Sequence, residues 1–527
     1  MPIIVMNIQT PPSATNEDKI DAALKAVSLS QSDIENAGIY KSSIDARKRT
    51  DIHFVSSVML TLKSKALEEK LCRRYKNVKY VEELHLNPTI SKEKRSGRVV
   101  ISGFGPCGMF CALLLSEYGY KPIVLERGAD VDERVKAVEG FWGGKELDER
   151  TNVQFGEGGA GTFSDGKLTT RINDPLIRYV LKRFCEFGAP KEILYEAKPH
   201  LGTDNLRGIV KGIRQRIIAN GGEIRFKTKL TDFTLQNGQL RSVATEHDSI
   251  EASALVLAIG HSARDTFEML LNKGMILAPK PFSVGARIEH TQKSVDESLY
   301  GSFSGSAGLP KGEYQLSLRK PDGRAVYTFC MCPGGSVVAA QSELNTVVTN
   351  GMSEHSRDKE NANSALVVSV SPNDFGSNPL DGVKFARQIE QRAFAISGGY
   401  RAPASTVGDF IGDSSKPSVT ASYKPGVVPC NLNKLFPKLV SDMMKEGIHK
   451  FSSEMKCFAD KGAMLTAPET RTSSPVRITR DDNMCALGVS NIYPAGEGAG
   501  YAGGIMSAAV DGLKAAMAIM ASFAPNV

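Results

Sequence analysis

At 527 residues with 41% apolar content, the chain has the length for about three domains and the composition of a soluble globular protein. Its formal net charge is +7; residues 1–98 hold 17 Lys/Arg against 12 Asp/Glu, a mild excess that could suit an anionic partner but that solvated helix faces explain as well, so a nucleic-acid partner is not expected. Nine cysteines without metal-ligand spacing, a start that does not read as a signal peptide, and no run of the ~18 apolar residues of a membrane span predict a reduced, cytoplasmic protein with no metal site and no membrane partner.

Residues 1–95 read as a separate module. Strands are predicted at Ile3–Ile8, Ile34–Ser43, Asp51–Leu62 and Val78–Glu82. Helices are predicted at Asn16–Ala26, with Thr15 or Asn16 as N-cap, and at Leu67–Tyr75. The order β-α-β-β-α-β is that of a ferredoxin-like α+β module. The polar stretch 91–97 is a linker.

The segment Arg98–Ser102 is a short apolar strand. It runs into Gly103-Phe104-Gly105-Pro106-Cys107-Gly108, then an Ala/Leu-rich helix, then a strand 121–125 ending at Glu126-Arg127. This is the strand, glycine turn, helix, strand and acid of a dinucleotide-binding unit. Gly103 permits the tight turn, Gly105 lets backbone approach a pyrophosphate, and Gly108 lets the helix pack close to the sheet. Pro106 and Cys107 complete the turn, where helix N–H groups meet phosphate. Glu126, 23 positions after Gly103, is placed to accept from ribose hydroxyls.

Five glycines fall between Gly156 and Gly166, which disfavours helix and strand alike. This stretch is predicted to be a ligand-facing loop anchored by Phe155, Phe163 and Leu168. It includes Gly159, Gly161, Thr162, Asp165, Gly166 and Lys167. A helix at Gly208–Asn220, a strand at Glu223–Lys227 and an Asn237-Gly238 hairpin follow. The run Ala254–Ile259 is a buried strand ending at Gly260-His261, where a doubly wound sheet binds its ligand.

Residues 283–468 change in texture. Strand-like runs (Phe282–Glu289, Ala325–Cys332, Ser336–Ala340, Ala365–Val370) mix with helices at Val383–Ile396 and about Pro437–Phe451, which reads as a second domain inserted into the first. Cys330 and Cys332, two apart on a strand, point to one face. They read as structural thiols, with a redox pair or a pair of metal ligands as the alternatives. The chain then returns through Ile492–Ala495 to Gly496-Glu497 and to Gly503-Gly504-Ile505, a glycine pair opening a helix.

Taken together, these pieces resemble the FAD-binding domain of glutathione-reductase-like flavoproteins. Three separated motifs carry the likeness: Gly103–Gly108 with Glu126, Leu255–Gly260, and Gly496-Glu497 with Gly503-Gly504. The family usually has Asp where Glu497 stands. The resemblance also implies an adenine contact near Leu230. More narrowly, the motifs at 161–168, 285–290, 329–336 and 469–477 resemble an uncharacterised bacterial family of FAD-dependent dehydrogenases. The implied fold class is α/β. A Rossmann-type FAD-binding domain (97–282 and 469–527) is interrupted by a mixed α+β substrate domain (283–468) and preceded by the ferredoxin-like module (1–95).

The resemblance implies FAD as cofactor and a small-molecule substrate. No second glycine turn of this quality lies between 260 and 490, so NAD(P)H would serve only as a transient reductant. The expected function is hydride transfer at flavin N5, the alternative a non-catalytic FAD-binding protein whose N-terminal module docks a protein or RNA. Candidate catalytic or substrate-anchoring groups are His261, His290, Arg287 and Arg471, with Arg477 as a further anion anchor.

Overall fold

The computed structural model describes residues 2–82 and 86–525. Its first sheet has the strand order Ile34–Asp45, His53–Leu62, Ile3–Thr10, Val78–Tyr80, antiparallel throughout. Alternate residues of the central strands (Ile3 and Val5, Val58 and Leu60) turn inward. They pack against Ala23 and Leu24 of the helix Asn16–Ala26 and Leu71 of the helix Lys65–Arg74. Thr15 and Asp18 form a reciprocal capping box on the first of these helices. The edge strand Ile34–Asp45 is taken up by the rest of the protein: Ser42 N donates to Tyr195 O at 2.8 Å or closer (2.7 Å), and Ala197 N to Ser42 O at 2.9 Å.

A second sheet carries five parallel strands in the order Glu223–Arg225, Ile123–Leu125, Arg98–Ser102, Ser249–Leu257, Ile492–Pro494. A hairpin, Leu230–Gln236 and Gln239–Thr245, joins it antiparallel through the first residues of Ser249–Leu257. The inner strands bury both faces, so they read as unbroken apolar runs. Val99, Ile101, Val124 and Val256 face the helices Pro106–Glu117, Leu176–Glu186, Gly202–Ala219 and Ile505–Ser522. Val100, Leu125 and Leu257 face the hairpin and the helix Arg264–Asn272. The helix Ile505–Ser522 is long and apolar enough to cross a membrane, with mean hydropathy 1.3, but 67% of it is buried in this core.

The chain leaves this unit at Leu277–Pro279 and returns at Val476–Ile478, and these two short strands pair with each other. Between them lies a seven-stranded sheet. Its order is Ser317–Arg319, Ala325–Cys332, Asn361–Val370, Phe282–Thr291, Met464–Glu469, Ala402–Thr406, Val427–Pro429. The last pair is parallel and the rest antiparallel. The helices Asp381–Ser397 and Lys438–Glu454 cover its apolar face. The strand Ala325–Cys332 is not regular at its end: the register shifts between Phe329 and Cys332, and Cys330 has φ +45°. The simple two-residue alternation expected for Cys330 and Cys332 therefore fails at a bulge.

Candidate cofactor site

The first glycine turn is built by contact. Gly103 has φ +103°, and a Cβ there would stand 2.3 Å from the Ala258 carbonyl oxygen. A Cβ on Gly108 would stand 2.0 Å from the Gly103 oxygen, so only glycine lets the helix Pro106–Glu117 sit this close. Gly105 is different. Its backbone is extended (φ −81°, ψ −175°), and a Cβ would meet only Gly159 Cα, at 3.7 Å. Nothing in the folded chain requires a glycine there. The space beside it is a cradle, lined by Cys107 and Gly108 N–H groups that have no acceptor within their own helix. Glu126 is buried and accepts from Phe104 N, Gly128 N and Gly156 N, each at 2.9 Å. One of its oxygens serves two of these donors, and the other serves only Phe104.

The glycine loop is held from beneath by Arg134, whose guanidinium is fully buried. It donates to Asn152 O (2.9 Å), Val153 O (3.0 Å), Gly156 O (3.2 Å) and Glu157 O (2.6 Å). Loss of solvent lowers its pKa to about 10, with Glu126 and Glu157 opposing. The sequence reading missed this residue, although an arginine on an amphipathic helix just ahead of a glycine loop was the available signal. Phe155, Phe163 and Leu168 are buried anchors. The loop thereby joins two helix starts. A Cβ on Gly159 would stand 3.0 Å from Gly105 Cα, and one on Gly161 would stand 3.1 Å from Ile505 Cγ1.

The third element closes the site. Gly496 N donates to Asp511 at 2.7 Å, and Asp511 is fixed by Arg480 at 2.8 Å. A Cβ on Gly498 would stand 2.5 Å from Gly260 O, which brings the 496–498 turn against the end of the strand Ser249–Leu257. Gly503 and Gly504 are exposed, and a Cβ on either would meet nothing within 4 Å. The Glu497 carboxylate is half-buried and has no hydrogen-bond partner among the described residues. Desolvation raises its pKa to about 7, with Lys280 opposing and Cys330 adding to the rise.

The other expected contact residues have internal partners. Asp165 is buried with both oxygens on Arg357, and Lys167 bonds Glu313 at 2.6 Å, so their charges are committed within the protein. Thr162 is buried in the loop, where its carbonyl accepts from Thr203. A Cβ on Gly166 would stand 2.9 Å from Gly202 N, so its contacts are likewise internal. Arg127 pairs with Asp265 at 3.0 Å and lies over the Phe155 ring. Leu230 sends its side chain into the core. The Cys107 thiol packs toward Gly496 and its pKa is pushed up by burial, so it is no reactive group.

Among the catalytic candidates, Arg287 is fully buried and spends its donors on Glu469, Asn350, Asn363 and the Cys330 carbonyl. Arg471 spends its donors on Glu390, Ser262 and Ser342. Neither is free to anchor a substrate anion. His290 is buried among Tyr314 and Phe458 with both ring nitrogens unpartnered, and desolvation lowers it to about 4, so it is no proton donor at neutral pH. Arg477 lies over the Tyr501 ring and donates to Gly500 O. His261 does reach the site: half-buried beside Gly260, its Nδ1 is 2.9 Å from Ser262 Oγ. Desolvation, then Arg471 and Arg264, hold its imidazole down at about 3.

A buried ionic network braces the two larger units. Glu390, on the helix Asp381–Ser397, accepts from Arg264 at 2.8 and 2.9 Å and from Thr470 at 2.7 Å, with Arg471 at 3.3 Å. Arg264 follows the strand Ser249–Leu257, and Thr470 and Arg471 follow Met464–Glu469.

Residues 281–472 match a family described as FAD-dependent protein, C-terminal domain-like, and residues 2–61 match a domain of unknown function. With the glycine site, this match supports a FAD-dependent flavoprotein. The chain belongs to one family with a Clostridium beijerinckii protein named as an uncharacterized protein. The two are 48% identical over 508 residues, 95% of each chain. Among solved structures, a likeness is found to CtdE in complex with FAD (12% identity, 81% of this chain and 84% of that one, TM-score 0.31). Another is to glycine oxidase from Bacillus cereus (9% identity, 82% and 96%, TM-score 0.34). Superpositions this loose say nothing about chemistry.

Proposed function

We propose that this flavoprotein is an oxidoreductase acting on a small organic substrate, with FAD in a Rossmann-type site of the glutathione-reductase-like kind. The observation that carries this reading is the row Gly105–Gly159 and Gly161–Ile505, which sets two helix N-termini side by side. The residues fit the cofactor. Glu126 retains acceptor capacity for a ribose hydroxyl while holding the turn through Phe104 N. The cradle beside Gly105 and Gly159 suits a pyrophosphate, which a Cβ at Gly105 would displace. Glu497, an unpartnered carboxylate, suits a ribityl hydroxyl; the extra methylene relative to Asp leaves it the same acceptor.

Bound FAD supplies the capacity to take up and release a hydride. The chain's own contribution is placement and charge. The N-terminus of the helix Ile505–Ser522 offers free N–H groups and a positive dipole end, worth about 0.3–1 kcal/mol to a nearby negative charge when exposed and more when partly buried. His261, neutral at physiological pH, contributes hydrogen bonding rather than charge. The Glu390 network holds the inserted sheet in register with the glycine site. The face of that sheet carrying Cys330 lies close enough to Glu497 to raise its pKa, which makes this junction the substrate-facing wall in our reading.

The test is an anaerobic titration of the yellow protein, first with NADPH and NADH, then with a panel of small organic reductants. Bleaching of the visible flavin band by any of these is the expected result. A protein that stays colourless in excess FAD overturns the reading.

A further inference from the structure

We propose that Cys330 and Cys332 form a redox-active dithiol that exchanges with low-molecular-weight disulfides, Cys330 acting as nucleophile and Cys332 as resolving thiol. The reading does not depend on the cofactor. It rests first on geometry. At the bulge ending the strand Ala325–Cys332, the Cys332 side chain turns back onto Cys330, with Cys332 Sγ 3.5 Å from the Cys330 carbonyl oxygen. Cys330 takes φ +45°, a left-handed backbone that a non-glycine residue holds only when its surroundings impose it. The imposing contact is visible: Arg287 Nη1 donates to the Cys330 carbonyl at 2.7 Å, while the same guanidinium is locked by Glu469 at 3.0 Å.

The two sulfurs are also unequal, as a nucleophile and a resolving group must be. Cys330 is half-buried and Cys332 fully buried. The Cys332 thiol, then the Arg287 and Lys167 cations, hold the Cys330 pKa below that of an ordinary thiol, against burial and Asp165. The neighbouring Cys330 thiol and burial push Cys332 up. The other seven cysteines of the chain all have pKa values raised by burial. Cys330 is thus the one thiolate-prone sulfur among the nine.

The exchange balances. The Cys330 thiolate attacks one sulfur of the disulfide, the S–S bond breaks, and one thiolate leaves. Cys332 gives up its proton and attacks the Cys330 sulfur, and the second thiolate leaves. The external disulfide gains two electrons and becomes two thiols, while the pair loses two and becomes an intramolecular disulfide.

The experiment uses the full chain as purified, incubated with oxidised glutathione, alkylated and mapped by peptide mass spectrometry. The expected product is one disulfide joining Cys330 to Cys332, seen as the loss of two hydrogens and reversed by dithiothreitol. Alkylation of Cys330 in the untreated protein is expected to run about tenfold faster than that of any other cysteine at neutral pH. In Cys332→Ser, glutathione stays trapped on Cys330; in Cys330→Ser, Cys332 stays a free thiol. The proposal is overturned if oxidised glutathione leaves both wild-type cysteines as thiols, or if the two single variants carry glutathione equally. The wild-type map decides even if a variant does not fold.

Discussion

Gly105→Ala separates folding from cofactor binding, because the structure gives this glycine no internal reason to exist. Its backbone is one that alanine adopts freely, and the added methyl would touch Gly159 Cα at an ordinary 3.7 Å. Replacing glycine where the conformation is already allowed removes unfolded-state entropy, so the cofactor-free protein should gain about 0.4–1 kcal/mol or stay level. The same methyl fills the space proposed for a pyrophosphate. Overpacking of a fitted site costs about 1–3 kcal/mol, which weakens FAD binding by about 5- to 150-fold. Thermal unfolding of the cofactor-free protein measures the first effect, and FAD titration followed by flavin fluorescence measures the second. Wild-type FAD affinity in a well-folded Gly105→Ala protein would refute the placement of the cofactor. A large loss of Tm without FAD would refute the claim that the site is empty of protein contacts.

The neighbouring glycines should behave in the opposite way. Gly108→Ala and Gly512→Ala would set a Cβ 2.0 Å from the Gly103 oxygen and 2.1 Å from the Cys107 oxygen, so both should lower the Tm of the cofactor-free protein. Glu390→Gln removes the carboxylate shared by the buried Arg264 and Arg471, leaving Arg264 only Glu343 and Arg471 no carboxylate contact among the described residues, and should cost about 3–5 kcal/mol in chemical denaturation. Glu497→Gln should move two readouts apart. The folded-state pKa, raised from 4.5 to about 7, means the folded protein binds the extra proton, so this carboxyl's favourable contribution is present below about pH 4.5 and lost as pH rises through 7. The glutamine variant, free of that loss, should therefore match wild type in acid and exceed its Tm above neutrality. It should bind FAD about tenfold more weakly, since a hydrogen bond to a charged group is worth about 1.5–3 kcal/mol. A pH-independent Tm difference would show that Glu497 is not the titrating group.

Much of the unit built around the glycine turn was legible because its signals are local. Gly103, Gly105 and Gly108 lie on one turn, and Glu126 ends the next strand. The anchors Phe155, Phe163 and Leu168 stand out against a glycine background. The inserted sheet was only half legible. Ala402–Thr406 and Met464–Glu469 are buried at every position and contain Pro403 and Pro468, so they show neither the alternation of a half-exposed strand nor a proline-free run. The charged candidates failed for another reason. Asp165 and Arg357 are 192 positions apart, and Arg287 and Glu469 are 182 apart. A guanidinium that looks available in sequence is spent on a partner that only the tertiary fold supplies.

The position of the last helix has a consequence in time. Ile505–Ser522 packs on Pro106–Glu117, and Tyr120 OH donates to Phe523 O across 403 positions of chain. During synthesis the glycine turn therefore emerges early and waits for its partner through the whole translation of the inserted sheet. Its apolar helix face stays open until Ile505–Ser522 has left the ribosome. Completion of the proposed cofactor site thereby waits on this helix: a chain cut short before residue 505 lacks one wall of the site, however well its earlier parts have folded.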